Sequence, residues 1–325
     1  MQVFKEIKPS TIVAMVDFKA QVHFETIFWT FPVIKGKKYL IKKAPPRGSF
    51  KKMAEYGTIL SMRYRNRHRG LVKDGKTQKR KKDMENGIEM DISLRDKNIN
   101  ICLHNSKKIG MARIRVTGGT SLEMIQETYQ IIKNYLVNTQ NQLSYIKNNP
   151  GILRDFIKQT IVEDTIVPIH NPDPHLQVYL EGIRYIRDPK ALVKYCDVLS
   201  RYGRIYSGNL ENHQIHQINV NYDYRLNFKI DRSKLAKLAR HNHGFCTTYS
   251  KSKNHHKVIL HLAIDPAEIS RPFKKSKKKP CHTFRVNQSG CVKQISPDLR
   301  LGHLAYCQFM KLIMELEDEI KDTHS

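Results

Sequence analysis

Acidic residues are scarce in this chain: 30 Asp and Glu stand against 57 Lys and Arg, for a formal net charge of +27. Tryptophan is nearly absent, with one in 325 residues. No apolar run approaches the ~20 residues needed to cross a bilayer, so no membrane partner is expected. The N-terminal stretch MQVFKEIKPSTIVAMVDF has no uninterrupted apolar core and no small-residue cleavage site, which argues against secretion. Cysteines 102, 196, 246, 281, 291 and 307 include no CxxC pair, the pattern of reduced, intracellular thiols rather than a disulfide frame. GxxxxGK, GxSxG and HExxH are all missing, and the few carboxylates do not gather as a two-metal site would require. Neither an enzyme nor a cofactor is expected.

What is there is positive charge on a chain able to fold. Apolar side chains make up 40% of the residues, enough for a real core. Such a cationic excess repels itself unless it meets a polyanion, and nucleic acid is the commonest one. Basic loops at 36–82 and 271–280 fit phosphate contacts or nuclear import, with Lys274, Lys275, Lys277, Lys278 and Lys279 as candidates in the second. HNHGFC (241–246), with His255 and His256, has none of the paired spacings that fix a zinc tetrahedron, so no metal is expected there.

The stretch INVNYDYRLNFKI (218–230) alternates with a period of two, as a half-buried strand requires. Ile218, Val220, Tyr222, Tyr224, Leu226, Phe228 and Ile230 share one face; Asn219, Asn221, Asp223, Arg225, Asn227 and Lys229 share the other. Further strands are expected at 11–20, 87–96, 98–106, 111–119, 257–264, 282–290 and 291–296. Helices are expected at 122–147, 189–200, 231–242 and 298–321, with a short aromatic one around Phe28, Trp29 and Phe31. Thr120 or Ser121 would cap the helix at 122, and Asp231 the one after it. In order, each half reads strand, short helix, three strands, long helix. A twofold repeat of such units makes an α+β domain with an antiparallel sheet and helices on one face. The expected organisation is a first repeat over 1–147 with a basic insertion at 36–86, a connecting region over 148–217 and a second repeat over 218–325.

That element order resembles the saddle of the TATA-binding protein. LHNSKKIGMARIRVTGG is similar to the family's turn motif at Ser106, Lys107, Thr117 and Gly118, and VNQSGCVKQIS matches at Ser289 and Gly290. The similarity is closer still to the divergent TATA-binding-like proteins of nucleocytoplasmic large DNA viruses, through YGTILSMRYRNRHRG (56–70), FKIDRSKLAKLARHNHGF (228–245) and HTFRVNQSG. The resemblance leaves residues 148–217 unassigned. It implies a TATA-binding-protein-like saddle: two pseudo-symmetric repeats forming a curved antiparallel sheet, helices on its convex face, its concave face on the minor groove of double-stranded DNA. It further implies a transcription initiation factor, with a viral RNA polymerase or other initiation factors as protein partners. The setting would be the host nucleus, a cytoplasmic viral factory or the virion. An architectural or genome-packaging protein is the alternative.

Carried over position by position, the resemblance sets Asn219 at the family's base-reading asparagine, with Thr11 as its first-half counterpart, and Thr117 at a groove-facing threonine, with Ile295 as its counterpart. The kinking phenylalanines are replaced by Leu103 and Asn287, and elsewhere by Met84 or Glu85 and by His255. Cations stand alongside. Arg113 and Arg115 share the strand face of Thr117; Arg225 and Lys229 share that of Asn219 and Asn221; Arg285 shares that of Asn287; and Lys293 matches Arg115. The expected underside is therefore basic, leaning on phosphates, which fix position more than sequence.

Overall fold

The computed structural model describes residues 7–34, 54–70, 86–94, 97–106, 110–167, 169, 173–241, 244–249, 257–269 and 280–322. Lys107, Met84, Glu85, His255, most of the 36–86 insertion and the five lysines at 274–279 fall outside them. The chain divides into two compact units. Unit 1 comprises residues 1–15, 117–124 and 216–325; unit 2 comprises 16–116 and 125–215.

In unit 1, β9 (Tyr206–Arg225, entering from residue 216) is followed by α6 (Arg232–His241), β10 (Phe245–Tyr249), β11 (Lys257–Ala263), β12 (Cys281–Asn287), β13 (Cys291–Ser296) and α7 (Leu299–Ile320). The strands lie in the order β10-β11-β12-β13-β9, each pair antiparallel. Both helices cover the same face. Leu235 and Ala239 of α6 and Phe309, Leu312 and Leu316 of α7 join Val258, Leu260, Phe284, Val286 and Val292 in one buried cluster. Phe284 stacks on Phe309 with ring centroids 4.6 Å apart. Burial of side chains this size contributes about 1.5–3 kcal/mol each, so this layer dominates the stability of the unit. The sequence sets where the helices begin. Asp231 Oδ1 accepts from the amides of Ser233 and Lys234, and Asp298 Oδ1 from that of Leu301.

Unit 2 runs β1 (Thr11–Val22, from residue 16), α1 (Phe24–Thr30), β2 (Ile59–Tyr64), β3 (Arg67–Gly70), β4 (Gly87–Leu94), β5 (Lys97–Asn105), β6 (Ala112–Gly119, to residue 116) and α2 (Leu122–Asn148, from residue 125). Its strand order is β1-β6-β5-β4-β2-β3. Val16, Phe18, Ile88, Met90, Ile101, Ile114 and Val116 are fully buried, as are Ile125, Tyr129, Ile132 and Leu136 on the inner side of α2. Phe18 meets Tyr129 with centroids 5.9 Å apart. Leu122, in the first turn of α2, is exposed. Ser121 caps the helix, its Oγ accepting from the amide of Met124 at 3.2 Å. Phe28 and Phe31 are buried. Residues 148–217, expected as a connection, hold α3 (Pro150–Thr160), the hairpin β7 (Ile161–Val162) and β8 (Thr165–Ile166), α4 (Gln177–Ile183) and α5 (Pro189–Tyr202); through residue 215 they belong to this unit.

The α+β class and the recurrence are present in the structure, with one strand more per repeat than expected. Each unit reads strand, short helix, four strands, long helix, and unit 2 adds β3. The missed strands are β10 and β2; β2 lies inside the stretch expected as a basic insertion. The strand expected over 218–230 also differs. It begins at Tyr206 and ends at Arg225, beyond which the amides of Leu226 and Ile230 donate to the carbonyls of Gly290 and Gln288.

Candidate nucleic-acid interface

Directly opposed residues of antiparallel strands point to the same face of a sheet, so register fixes what the helix-free face of each unit displays. In unit 1 the face opposite the core carries Asn219, Asn221, Asp223 and Arg225 of β9. From β13 come Cys291, Lys293 and Ile295, from β12 Thr283, Arg285 and Asn287, and from β11 Lys257, Ile259 and His261. Arg225, Lys257, Arg285 and Lys293 are exposed. Arg285 stands directly opposite Lys293, a like-charged pair that costs stability. Among the described residues Asp223 is the one carboxylate on this face, its Oδ1 3.9 Å from Lys293 Nζ.

A depression of about 480 Å³ opens there, lined among others by Arg225, Lys257, Arg285, Asn287, Cys291 and Lys293. The turn Asn287–Gly290 shapes its edge, closed by Gly290 N donating to the Asn287 carbonyl at 3.1 Å. Gly290 has φ +77°, and a Cβ on it would meet the Phe228 carbonyl at 2.5 Å. Only glycine fits this position without displacing the backbone.

The matching face of unit 2 is different. Arg63 Nη2 lies 2.5 Å from Glu89 Oε2. Asn100 Nδ2 donates to Glu89 Oε1 at 3.1 Å and to Asp91 Oδ1 at 3.0 Å, and Ser61 Oγ donates to Asp91 Oδ2 at 2.9 Å. Arg113 forks onto Asp17, Nη2 to Oδ2 at 2.7 Å, and that partner holds its pKa above the ordinary guanidinium range. Burial, with the neighbouring Arg113 charge, keeps His104 below the usual imidazole range, hence neutral near pH 7. Of the cations on this face, Arg63 and Arg113 are paired internally, while Lys19 and Arg115 are exposed.

The residues proposed from sequence thus separate. Asn219, Asn221, Arg225, Arg285, Asn287 and Lys293 share the helix-free face of unit 1. Thr11 and Thr117 lie half-buried on β1 and β6. Arg115 is exposed on β6, and Arg113 is engaged with Asp17. Lys229 is exposed beyond the end of β9. The wedge role of Leu103 is overturned: it pairs with Ile88 on the helix-covered face and has no exposed surface. Two residues were missed. Lys257 and Cys291 complete the depression, and only their registers against Asn287 and Arg225 reveal it.

No protein-family model matches the sequence, and no curated protein matches it. Among solved structures, the chain is similar to the TBP of Methanococcus jannaschii at 11% identity, with a TM-score of 0.40 over 96% of this chain and 99% of that one.

Proposed function

We propose that this protein binds duplex DNA through the helix-free face of unit 1 and acts as a TATA-binding-protein-like transcription initiation factor of a large DNA virus. One observation carries the binding: four exposed cations and three asparagines share that face with a single carboxylate among the described residues. Cations contact phosphates and supply salt-dependent affinity. The amides of Asn219 and Asn221 are donors suited to the acceptors that dominate the minor groove of A·T pairs. The transcription role and the viral origin rest on the sequence resemblance, as does engagement of a viral polymerase or other initiation factor. The protein is read as a binder rather than an enzyme, working inside the infected cell.

Fluorescence anisotropy with an A·T-rich promoter duplex and a scrambled duplex of equal length tests this at physiological salt. Preference for the A·T-rich duplex by tenfold or more, about 1.4 kcal/mol, supports an initiation factor. Equal, tight binding of both would replace it with the architectural reading, since packaging needs affinity without discrimination. Absence of binding to either would remove both.

A further inference from the structure

We infer that the depression over Asn287 and Cys291 is a seat for phosphate oxyanions, occupied by the backbone of bound nucleic acid; the inference rests on the duplex-binding reading above. The register builds it. Lys257 opposes Asn287, and Cys291 opposes Arg225. Asn287 and Cys291 each stand one position outside the Val286–Val292 pair. One transverse row therefore runs Lys257, Asn287, Cys291, Arg225. The next runs Arg285, Lys293, Asp223.

With strands about 4.8 Å apart, Lys257 and Arg225 stand roughly 14 Å from one another across three gaps, and the second row lies about 7 Å away along the strands. The middle of the first row holds two short side chains, and long cationic ones ring it. The result is a basin with an amide and a thiol on its floor, and four positive charges and the single carboxylate of Asp223 in its wall.

The chemistry selects phosphate. Guanidinium forks match the paired oxygens of a phosphodiester, and the Asn287 amide adds a neutral donor. The span exceeds one small anion and suits a repeating one. Among the described residues no carboxylate lies within ion-pair distance of Arg225, Lys257 or Arg285, and Asp223 reaches only Lys293. The mutual repulsion of these cations is thus left for a ligand to relieve. On unit 2 the Arg63–Glu89 and Arg113–Asp17 pairs occupy two of the cations of the matching face.

Cys291 is exposed on the basin floor, so it reports occupancy. The full-length protein is alkylated with iodoacetamide under native conditions, alone, with duplex DNA and with pyrophosphate, and each thiol is followed by peptide mass spectrometry. Either ligand should slow alkylation of Cys291 about tenfold or more, while Cys307, half-buried on α7, keeps its rate. Arg285→Gln with Lys293→Gln should abolish that protection and lower the slope of log affinity against log salt by about 0.9 for each phosphate no longer neutralised. Lys311→Gln, which removes an exposed cation on α7, should leave both unchanged. If the duplex binds while Cys291 reacts at its free rate, the seat is refuted and duplex binding stands. Protection by pyrophosphate without any duplex binding would keep the seat, for free phosphate compounds, and refute the duplex reading.

Discussion

Replacing Glu181 by Gln should destabilise unit 2 by about 3–5 kcal/mol, the loss typical of breaking a buried ion pair from one side. The carboxylate of Glu181 has no exposed surface, and the side chain of Arg69 is 1% exposed. Arg69 Nη2 donates to Glu181 Oε2 at 2.8 Å, while Nη1 donates to the carbonyl of Phe28. The guanidinium lies over the Tyr185 ring at 4.7 Å. Arg184 supplies a second cation, 2.8 Å from Glu181 Oε1, but its own side chain is 27% exposed. Gln preserves the shape and one acceptor. It removes the counter-charge, so Arg69 is left charged in an apolar setting between α1 and α4. Water can shield Arg184 and cannot reach Arg69. The comparison pair is Lys311–Glu315 at 3.9 Å on α7, where Lys311 is 73% exposed; Glu315→Gln should cost less than about 0.5 kcal/mol.

The protein carries its own probe. Trp29, its one tryptophan, donates from Nε1 to Glu25 and lies 6.4 Å, centroid to centroid, from both Tyr185 and Tyr195. Urea unfolding followed by Trp29 fluorescence therefore reports on the region that holds Arg69. The double replacement Arg69→Met with Glu181→Leu should recover most of the loss, because an apolar pair of similar volume avoids the cost of desolvating two charges. A loss below about 1 kcal/mol in Glu181→Gln, or a double variant no more stable than the single, would refute this account.

Three further outcomes follow from single positions. His282 is buried, and its pKa is lowered to about 4 by burial, with Asp298 pulling the other way. The unfolded chain takes up this proton first, near pH 6.5. Stability is thus full above that pH and falls by about 3 kcal/mol as pH drops from 6.5 toward 4; His282→Gln should flatten this limb in melts across that range. Gly290→Ala forces a side chain into a left-handed backbone against the Phe228 carbonyl. It should lower stability by about 2 kcal/mol or more, with weaker duplex binding because the turn carries Asn287 to the basin. Asp17→Asn releases Arg113 and should tighten duplex binding about fivefold at low salt, roughly 1 kcal/mol; unchanged binding would show that the pairing with Asp17 is not what keeps Arg113 from a duplex.

Periodicity made much of the fold legible. The alternation of 218–225 and the helical spacing of 122–147 are local, and burial follows them almost residue by residue. β2 is hidden in the sequence because Arg63, Arg65, Arg67 and Arg69 crowd its end, the following turn and β3, so a composition shift masks Met62 and Tyr64, which are buried. Carry-over from the resemblance sets Leu103 on the wrong face. Its face is set instead by pairing with Ile88, a partner that only the folded register supplies.

Charge was the least legible feature, because a sequence counts cations without pairing them. Arg63 meets Glu89 across 26 positions, Arg113 meets Asp17 across 96 and Arg69 meets Glu181 across 112. Each pairing subtracts a cation from the net charge a polyanion can use. None has a local signature, since i,i+4 spacing marks ion pairs only along a helix. What remains is concentrated on one repeat. Arg225, Lys257, Arg285 and Lys293 come from four strands and meet only through three registers. Two repeats with one element order have thus diverged in what their open faces can do. In one, carboxylates placed opposite arginines pair Arg63 and Arg113 within the sheet. In the other, like charges placed opposite each other lower the stability of the free protein and raise the gain when an anion arrives.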